Sequence, residues 1–317
     1  MIPATIALEK ATLYIIATPI GNLGDMTIRA INTLHSVDII LAEDTRHSNR
    51  LLQHYGIHKS CYGALHQFNE PQQTEKIIHL LQEHKTVALI SDAGTPLIAD
   101  PGFHLVQAIH QANQQIAKQA AKQATKDAAI QPPQINISPV PGPCAFVAAL
   151  SCAGIPADRF LFIGFLPPKS GTRQNSLRHL AEIPYSLICY EAPHRLLATL
   201  EDIYQILGDR QICIAKELTK IHENIVTQSV RSYLQHFQQQ KEQQTIQQAM
   251  QETVKGEYVL LIAGWQKKPA TLDAGQEKML HILKQHCGSK KAAEILHAIT
   301  GINKKICYQT IIDHADA

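Results

Sequence analysis

Val87-Ala88-Leu89-Ile90-Ser91-Asp92-Ala93-Gly94-Thr95-Pro96-Leu97-Ile98-Ala99-Asp100-Pro101-Gly102 is the stretch that decides the fold. Its first four residues form an apolar run of strand length, and the next twelve hold two Gly, two Pro and two Asp. Gly and Pro fix unusual backbone angles and let the main chain approach a bound molecule. Open α/β sheets bind ligands in loops at strand C-terminal ends, although the same residues also build an ordinary structured turn.

Working outward, the run Leu13-Tyr14-Ile15-Ile16-Ala17 predicts a strand that stops at the glycine loop Thr18-Pro19-Ile20-Gly21-Asn22-Leu23-Gly24-Asp25. Thr27 is placed to cap a helix with Ile28, Ile31 and Leu34 on its buried face. Val37 to Ala42 reads as a strand ending in Glu43-Asp44-Thr45-Arg46, followed by helices over Ser48 to Tyr55 and Thr74 to Glu83. A helix over Phe103 to Ala112 comes next, then a strand at Ile135 to Ile137. Val140-Pro141-Gly142-Pro143-Cys144-Ala145 leads into the apolar helix Phe146 to Ala153. Strands alternating with helices predict a parallel sheet with right-handed crossovers.

The second half opens on Phe160 to Leu166, read as a buried strand broken by Pro167-Pro168-Lys169-Ser170-Gly171-Thr172-Arg173. Arg178 and His179 lie on the next helix, and further strands are expected at Ser186 to Tyr190, Gln211 to Ala215 and Tyr258 to Ala263. The expected class is therefore α/β, with two α/β domains over residues 1–155 and 156–266 and a small basic helical tail over 267–317. The tail carries eight Lys against Asp273, Glu277, Glu294, Asp313 and Asp316. Ser289 would cap a helix over Lys290 to Ile299, Gly301 would end it and Asn303 would start another, compatible with a helix-turn-helix. Gln114 to Gln131 and Gln235 to Gln251 are Gln-rich, with little apolar face, and read as solvated insertions without chemistry.

A formal charge of +2 excludes a global basic field, so any RNA site must be a local patch. The seven Cys are odd in number and lack CxxC spacing, and Cys152, Cys189 and Cys213 lie in apolar runs. They read as reduced, mostly buried thiols of a cytoplasmic protein, not a disulfide framework or zinc site. Leu13 to Ile20 is too short to serve as a signal or membrane helix, and no membrane association is expected.

Three constellations carry candidate chemistry. Pro19-x-Gly21-x-x-Gly24 with Glu43 downstream nearly makes a dinucleotide fingerprint, but Pro19 stands where the first Gly is required, which leaves a nicotinamide-dependent oxidoreductase as a rival. In Cys189-Tyr190-Glu191-Ala192-Pro193-His194-Arg195, the Glu, His and Arg could grip a phosphate or position a hydroxyl; the alternative is an Arg–Glu pair capping the following helix. Lys216 and Glu217 open a charged segment just past a strand, facing the crevice. Lys169, Arg173 and Arg178 form one local basic patch, and Arg46, His47 and Arg50 another.

Taken in order, Thr18 to Asp25, Ala42 to Arg46, Ser91 to Gly102, Val140 to Ala145, Tyr190 to Arg195 and Lys216 to Glu223 closely resemble the motifs of the ribosomal RNA small subunit methyltransferase I family. That family belongs to the tetrapyrrole methylase fold group, and the resemblance runs from about Leu13 to Gly264. It implies S-adenosyl-L-methionine as donor, bound between two α/β domains, and 2′-O-methylation of a cytidine in the decoding region of 16S rRNA. It also implies a homodimer acting on the small ribosomal subunit, without a metal. By the same resemblance Pro19 shapes the first loop, and Asp92, Gly94, Thr95, Pro96, Ile98, Cys144, Ala145, Phe165, Tyr190 and Val259 hold the donor. Arg46, Lys169, Arg173, Arg178, His194 and Arg195 are the expected RNA contacts, and the base is sought among Asp100, Glu191, Lys216 and Glu217. A small-molecule methyltransferase of the same fold and a non-enzymatic RNA-binding module are the alternatives. The basic patches favour RNA, and a pure binder has no need of glycine and proline loops at strand ends.

Overall fold

The computed structural model describes residues 4–66, 69–123, 134–243, 257–266 and 272–313. The chain divides into two compact units, Met1–Gly264 and Trp265–Ala317.

The first unit opens with a five-stranded sheet: β1 (Thr12–Ile16), β2 (Ile39–Ala42), β3 (Gly63–Ala64), β4 (Val87–Ile90) and β5 (Asn136–Val140). The order is β3-β2-β4-β1-β5 and every neighbouring pair is parallel, as the α/β alternation predicts. β1, β2 and β4 are apolar at nearly every position because both faces are covered, whereas β5, at the edge, carries Asn136, Ser138 and Pro139. Tyr14, Ile16, Ile40, Ala88 and Ile90 pack on Ile31 and Leu34 of α1 (Ile28–Ser36) and Leu52 of α2 (Thr45–His54). Leu13, Leu41, Val87 and Leu89 face Ile77 and Leu81 of α3 (Glu70–Gln82) and Leu105 and Ile109 of α4 (Phe103–Gln123).

Thr27 caps α1, its side chain accepting the Ala30 N–H, but the buried face is Ala30, Ile31, Thr33 and Leu34, and Ile28 is exposed. Helix α2 starts at Thr45 instead of Ser48 because the Asp44 carboxylate accepts the Arg46 N–H and begins the turn early. β3 has only two residues, too few for a periodic signal. Helix α4 runs past Ala112 as far as Gln123, and the Asn113 side chain makes two hydrogen bonds to the backbone of Ile135, just before β5. The rest of the first Gln-rich tract lies outside the described residues.

The second half of this unit contains β6 (Phe160–Phe165), β7 (Ser186–Glu191), β8 (Gln211–Lys216), β9 (Asn224–Ser229) and β10 (Tyr258–Ile262), in the order β6-β7-β10-β8-β9. Only β6 and β7 are parallel; the other pairs are antiparallel. The expectation of parallel pairing therefore does not extend here, since the short link from β8 to β9 returns the chain as a hairpin and leaves no room for a crossover. β9 itself was not foreseen. β6 is an edge strand, so Phe160, Leu161 and Phe165 are exposed where a buried strand was expected.

One face of the second sheet packs on α6 (Ser170–Leu180), α7 (Leu196–Leu207) and α8 (Val230–Gln243) through Leu177, Leu200, Ile203 and Val230. The second Gln-rich tract is helical as far as Gln243, and beyond that it lies outside the described residues. On the other face, Ala149 of α5 (Ala145–Cys152), Ala153 and Ile20 pack against Ile188, Cys213, Ala215 and Leu261. Because Ile20 belongs to the first glycine loop, the two sheets share a core. Cys189 and Cys213 are buried as expected; Cys152 is exposed at the end of α5.

The second unit is helical. α9 (Ala274–Thr300) begins in a capping box of Asp273 and Gln276, is broken at Gly288 (φ 75°) and ends at Gly301 (φ 72°). α10 (Lys304–Asp313) follows, and Leu280, Ala292, Leu296, Cys307 and Ile311 form the unit's own core. No helix among the described residues is long and apolar enough to cross a membrane.

Candidate active site

The loops after β1, β4 and β5 are tied into one knot. The Thr18 N–H donates to Gly94 O at 2.8 Å and the Gly94 N–H returns to Thr18 O at 3.1 Å. Thr18 Oγ1 donates to Ser91 O at 3.2 Å, and Thr95 Oγ1 to Pro143 O at 3.0 Å. Gly94 sits at φ +81°, which only glycine adopts without strain. Leu97 and Ala99 are also left-handed, at φ 71° and 66°, at a cost of about 1–2 kcal/mol each. Strain of this kind concentrates at functional loops and persists only where surrounding structure holds it.

A cleft of about 380 Å³ lies between these loops and the second sheet. Asp92, Gly94, Thr95, Ile98, Cys144, Ala145, Phe165, Tyr190 and Val259 border it. Pro19 and Pro96 are buried and are not among the lining residues, so their part is to shape the loops from behind. Ile20, Glu43, Leu218, Glu257 and Tyr258 line the cleft without having been assigned to it from the sequence. A signal for Glu43 existed: Ala42 pairs with Ile90 across β2 and β4, so the next residues, Glu43 and Ser91-Asp92, emerge side by side.

One wall is acidic. Asp92 Oδ1 accepts the Asp44 N–H at 3.1 Å, joining the ends of β2 and β4, and Glu43 and Asp100 border the cleft beside it. Burial raises the Asp100 carboxyl to about 6; the Glu43 charge adds to this, a Ser91 hydrogen bond opposes it and Asp92 adds a little more. Burial likewise raises Glu43, against a hydrogen bond from the Asp92 N–H and with the charges of Asp92 and Asp44 adding. The opposite wall is aromatic, with the Phe165 and Tyr190 rings 5.5 Å apart.

The other candidate bases are placed differently. Glu191 borders the cleft, but its carboxylate is fully buried: Oε2 accepts Thr199 Oγ1–H at 2.6 Å and Oε1 accepts the Ala192 N–H at 2.8 Å, with Arg195 Nε 3.1 Å away. Each oxygen of Glu191 therefore already accepts one internal hydrogen bond, and the carboxylate has no exposed surface. Lys216 and Glu217 are not among the lining residues. Burial of Glu217 is outweighed by hydrogen bonds from Lys220 and the Glu257 N–H, which hold it below the usual carboxylate range. Lys216 places its ammonium 5.9 Å from the centre of the Tyr258 ring.

Of the expected RNA contacts, Arg46, Lys169, Arg178 and His194 are exposed, and Arg46 pairs with Asp44 at 3.0 Å. Arg173 is not available to RNA. It is 2% exposed and gives Nε to Asp202 Oδ2 at 2.7 Å and Nη2 to the same oxygen at 2.6 Å. Arg195 also turns inward, to Glu191 and to the carbonyls of Leu166 and Pro167: the Arg–Glu pair forms, but neither side chain caps the following helix. The oxidoreductase rival loses its geometry as well: a separate turn, Leu23–Asp25, intervenes between β1 and α1, so the glycine loop does not open a helix directly.

Comparison with known proteins shows the family to which the chain belongs. Residues 12–234 match the family model for Tetrapyrrole (Corrin/Porphyrin) Methylases. The chain is 41% identical over 306 residues to the Ribosomal RNA small subunit methyltransferase I of Escherichia coli O157:H7, covering 96% of each chain. It is 43% identical over 304 residues to the protein of that name from Pasteurella multocida, covering 95% of this chain and 97% of the relative. For the Pseudomonas aeruginosa protein of the same name the figures are 42% over 305 residues, 95% and 97%. On the strength of the matched core and of relatives alike along almost their whole length, the chain belongs to the ribosomal RNA small subunit methyltransferase I family of the tetrapyrrole methylases.

Proposed function

We propose that the protein transfers the methyl group of S-adenosyl-L-methionine to the ribose 2′-oxygen of a cytidine in 16S rRNA. The observation that carries the reading is the cleft itself, bordered both by the expected donor residues and by Asp100. Its size falls within the roughly 300–1,000 Å³ of small-molecule sites. The carboxylates of Glu43, Asp92 and Asp100 on one wall suit a cationic ligand, and Phe165 and Tyr190 on the other offer ring faces to a base. Bound there, the donor supplies a methyl carbon on a cationic sulfur, open to in-line displacement.

Asp100 takes the proton of the 2′-hydroxyl. A carboxyl raised to about 6 is ionised at neutral pH yet more basic than an ordinary one, the compromise general-base catalysis favours. Gly94, Thr95 and Ala145 present backbone close to the ligand and orient it, and Ile20, Leu218 and Phe165 keep water out. The exposed cations Arg46, Lys169, Arg178 and His194 are left to meet RNA phosphates, which set register without reading sequence. The RNA substrate, the small ribosomal subunit as partner and the homodimeric state rest on the family resemblance.

Transfer of tritiated methyl from the donor to 30S subunits that lack the modification, followed by mass spectrometry of the labelled nucleotide, tests the reading. Label on a cytidine ribose supports it. Donor binding without transfer to RNA redirects the search to small-molecule acceptors of the same fold.

A further inference from the structure

Two arginines expected to face RNA end instead on a single turn. Arg195 Nη2 donates to Leu166 O at 2.6 Å and Pro167 O at 3.2 Å. Arg173 Nη1 donates to Pro168 O at 3.2 Å and Pro167 O at 3.4 Å. Each guanidinium is neutralised by a buried carboxylate of its own, Glu191 for Arg195 and Asp202 for Arg173. These are fixed in turn: Glu191 by Thr199 of α7, and Asp202 by Ser170 and Gln174 of α6.

The turn that the two arginines grip follows directly on Phe165. That ring is 58% exposed, borders the cleft and leans on Tyr190. Phe165 pairs with Tyr190 across β6 and β7, but beyond a slip in register after Phe162, with Gly164 between them left-handed at φ 63°, so the turn that follows adds to what holds it. Pro167 and Pro168 have no N–H to donate, so this turn is held through its carbonyls.

We infer that Arg195 is a positioning residue for the methyl transfer: braced by Glu191, it fixes the Leu166–Pro167 turn and through it the Phe165–Tyr190 wall of the cleft, with Arg173 as the second anchor of the same turn. The inference rests on the proposed reading of that wall as part of the donor site.

The test measures donor affinity by calorimetry, and affinity for 30S subunits without donor, for Arg195→Lys, Thr199→Val, Phe165→Ala and the double variant Arg195→Lys/Phe165→Ala. A lysine keeps the charge beside Glu191 but cannot reach both carbonyls, and Thr199→Val loosens Glu191 at a fully buried position. Arg195→Lys is expected to weaken donor binding about tenfold and leave 30S affinity within about twofold. Thr199→Val should act in the same direction, and the lysine should add little once Phe165 is gone. Independent, multiplying losses in the double variant overturn the inference, as does lost 30S affinity with unchanged donor binding. If Phe165→Ala alone leaves donor binding unchanged, the donor-wall reading has failed. Positioning is then read from the fluorine spectrum of 4-fluorophenylalanine at position 165: a shifted or broadened signal in Arg195→Lys supports it, and an unchanged signal overturns it.

Discussion

Glu70 and Gly102 are joined across the first unit: the buried Glu70 Oε1 accepts the Gly102 N–H at 3.1 Å, and the same oxygen accepts those of His104 at 2.9 Å and Leu105 at 3.3 Å. One carboxylate thus serves three donors at the start of α4 and anchors the far end of the loop that carries Asp92 and Asp100. Glu70→Ala leaves these N–H groups without their acceptor and should cost about 2–4 kcal/mol in urea unfolding, with weaker donor binding as Leu97 and Ala99 relax. Glu70→Gln keeps an oxygen in place and should cost less. Equal losses for the two variants would argue that the helix start is held by something other than this acceptor.

Asp100 links stability to pH with a defined sign. Its folded pKa, about 6, lies above the ordinary carboxyl value, so the stability it contributes is whole below about pH 4 and lost as pH rises to about 6. Asp100→Asn should therefore stabilise the protein at pH 7, by on the order of 1 kcal/mol after discounting for partial exposure, and have little effect at pH 4. The same variant should lower kcat by about a hundredfold or more. Wild-type kcat/KM should rise between pH 5 and 7 with an apparent pKa near 6. Full activity in Asp100→Asn would end its assignment as the base.

Gly21, in the loop after β1, lies against the turn after β8. A Cβ there would stand 2.5 Å from Lys220 Cγ, 2.9 Å from Thr219 Oγ1 and 3.0 Å from Leu218 O. Gly21→Ala should push Ile20 and Leu218 apart across the cleft they both line, costing about 1–3 kcal/mol and weakening donor binding. Calorimetry and thermal unfolding of the one variant check both outcomes.

Residues 265–317 form a compact unit of their own, with Lys278, Lys290, Lys291 and Lys305 exposed. Removing this unit should weaken 30S affinity and flatten its salt dependence, since fewer phosphate contacts release fewer counterions. Donor affinity should stay within about twofold. Unchanged 30S binding over a salt titration would count against a role in RNA binding.

The cleft loops were readable in the sequence because their residues are unusual in kind. Gly94, Pro96, Gly102 and the Pro141-Gly142-Pro143 turn are backbone requirements written directly as residue types. Arg173 was not readable, because a guanidinium reads the same whether it meets a phosphate or a buried carboxylate, and only Asp202, brought close by the fold, decides; for Arg195 the partner, Glu191, stands four residues away and both readings stayed open. The second sheet escaped for a similar reason: β7, β8 and β10 are apolar like the central strands of the first, β9 is mostly polar and exposed, and direction is set by the short link between β8 and β9. Leu218 lines the cleft from a turn where Glu217 and Thr219 are both left-handed, a geometry with no glycine to announce it.

The order β6-β7-β10-β8-β9 also bears on how the chain is made. β10 is the last strand among the described residues to leave the ribosome, yet it lies in the middle of its sheet, paired with β7 on one side and β8 on the other. Until Tyr258–Ile262 emerges, β6–β7 and β8–β9 are two separate ribbons with apolar edges open, while the first sheet already has all five of its strands. Synthesis therefore passes through a stage in which the acidic wall of the cleft can be built and the Val259 side cannot. A nascent chain stalled before β10 is where chaperone capture and aggregation should concentrate.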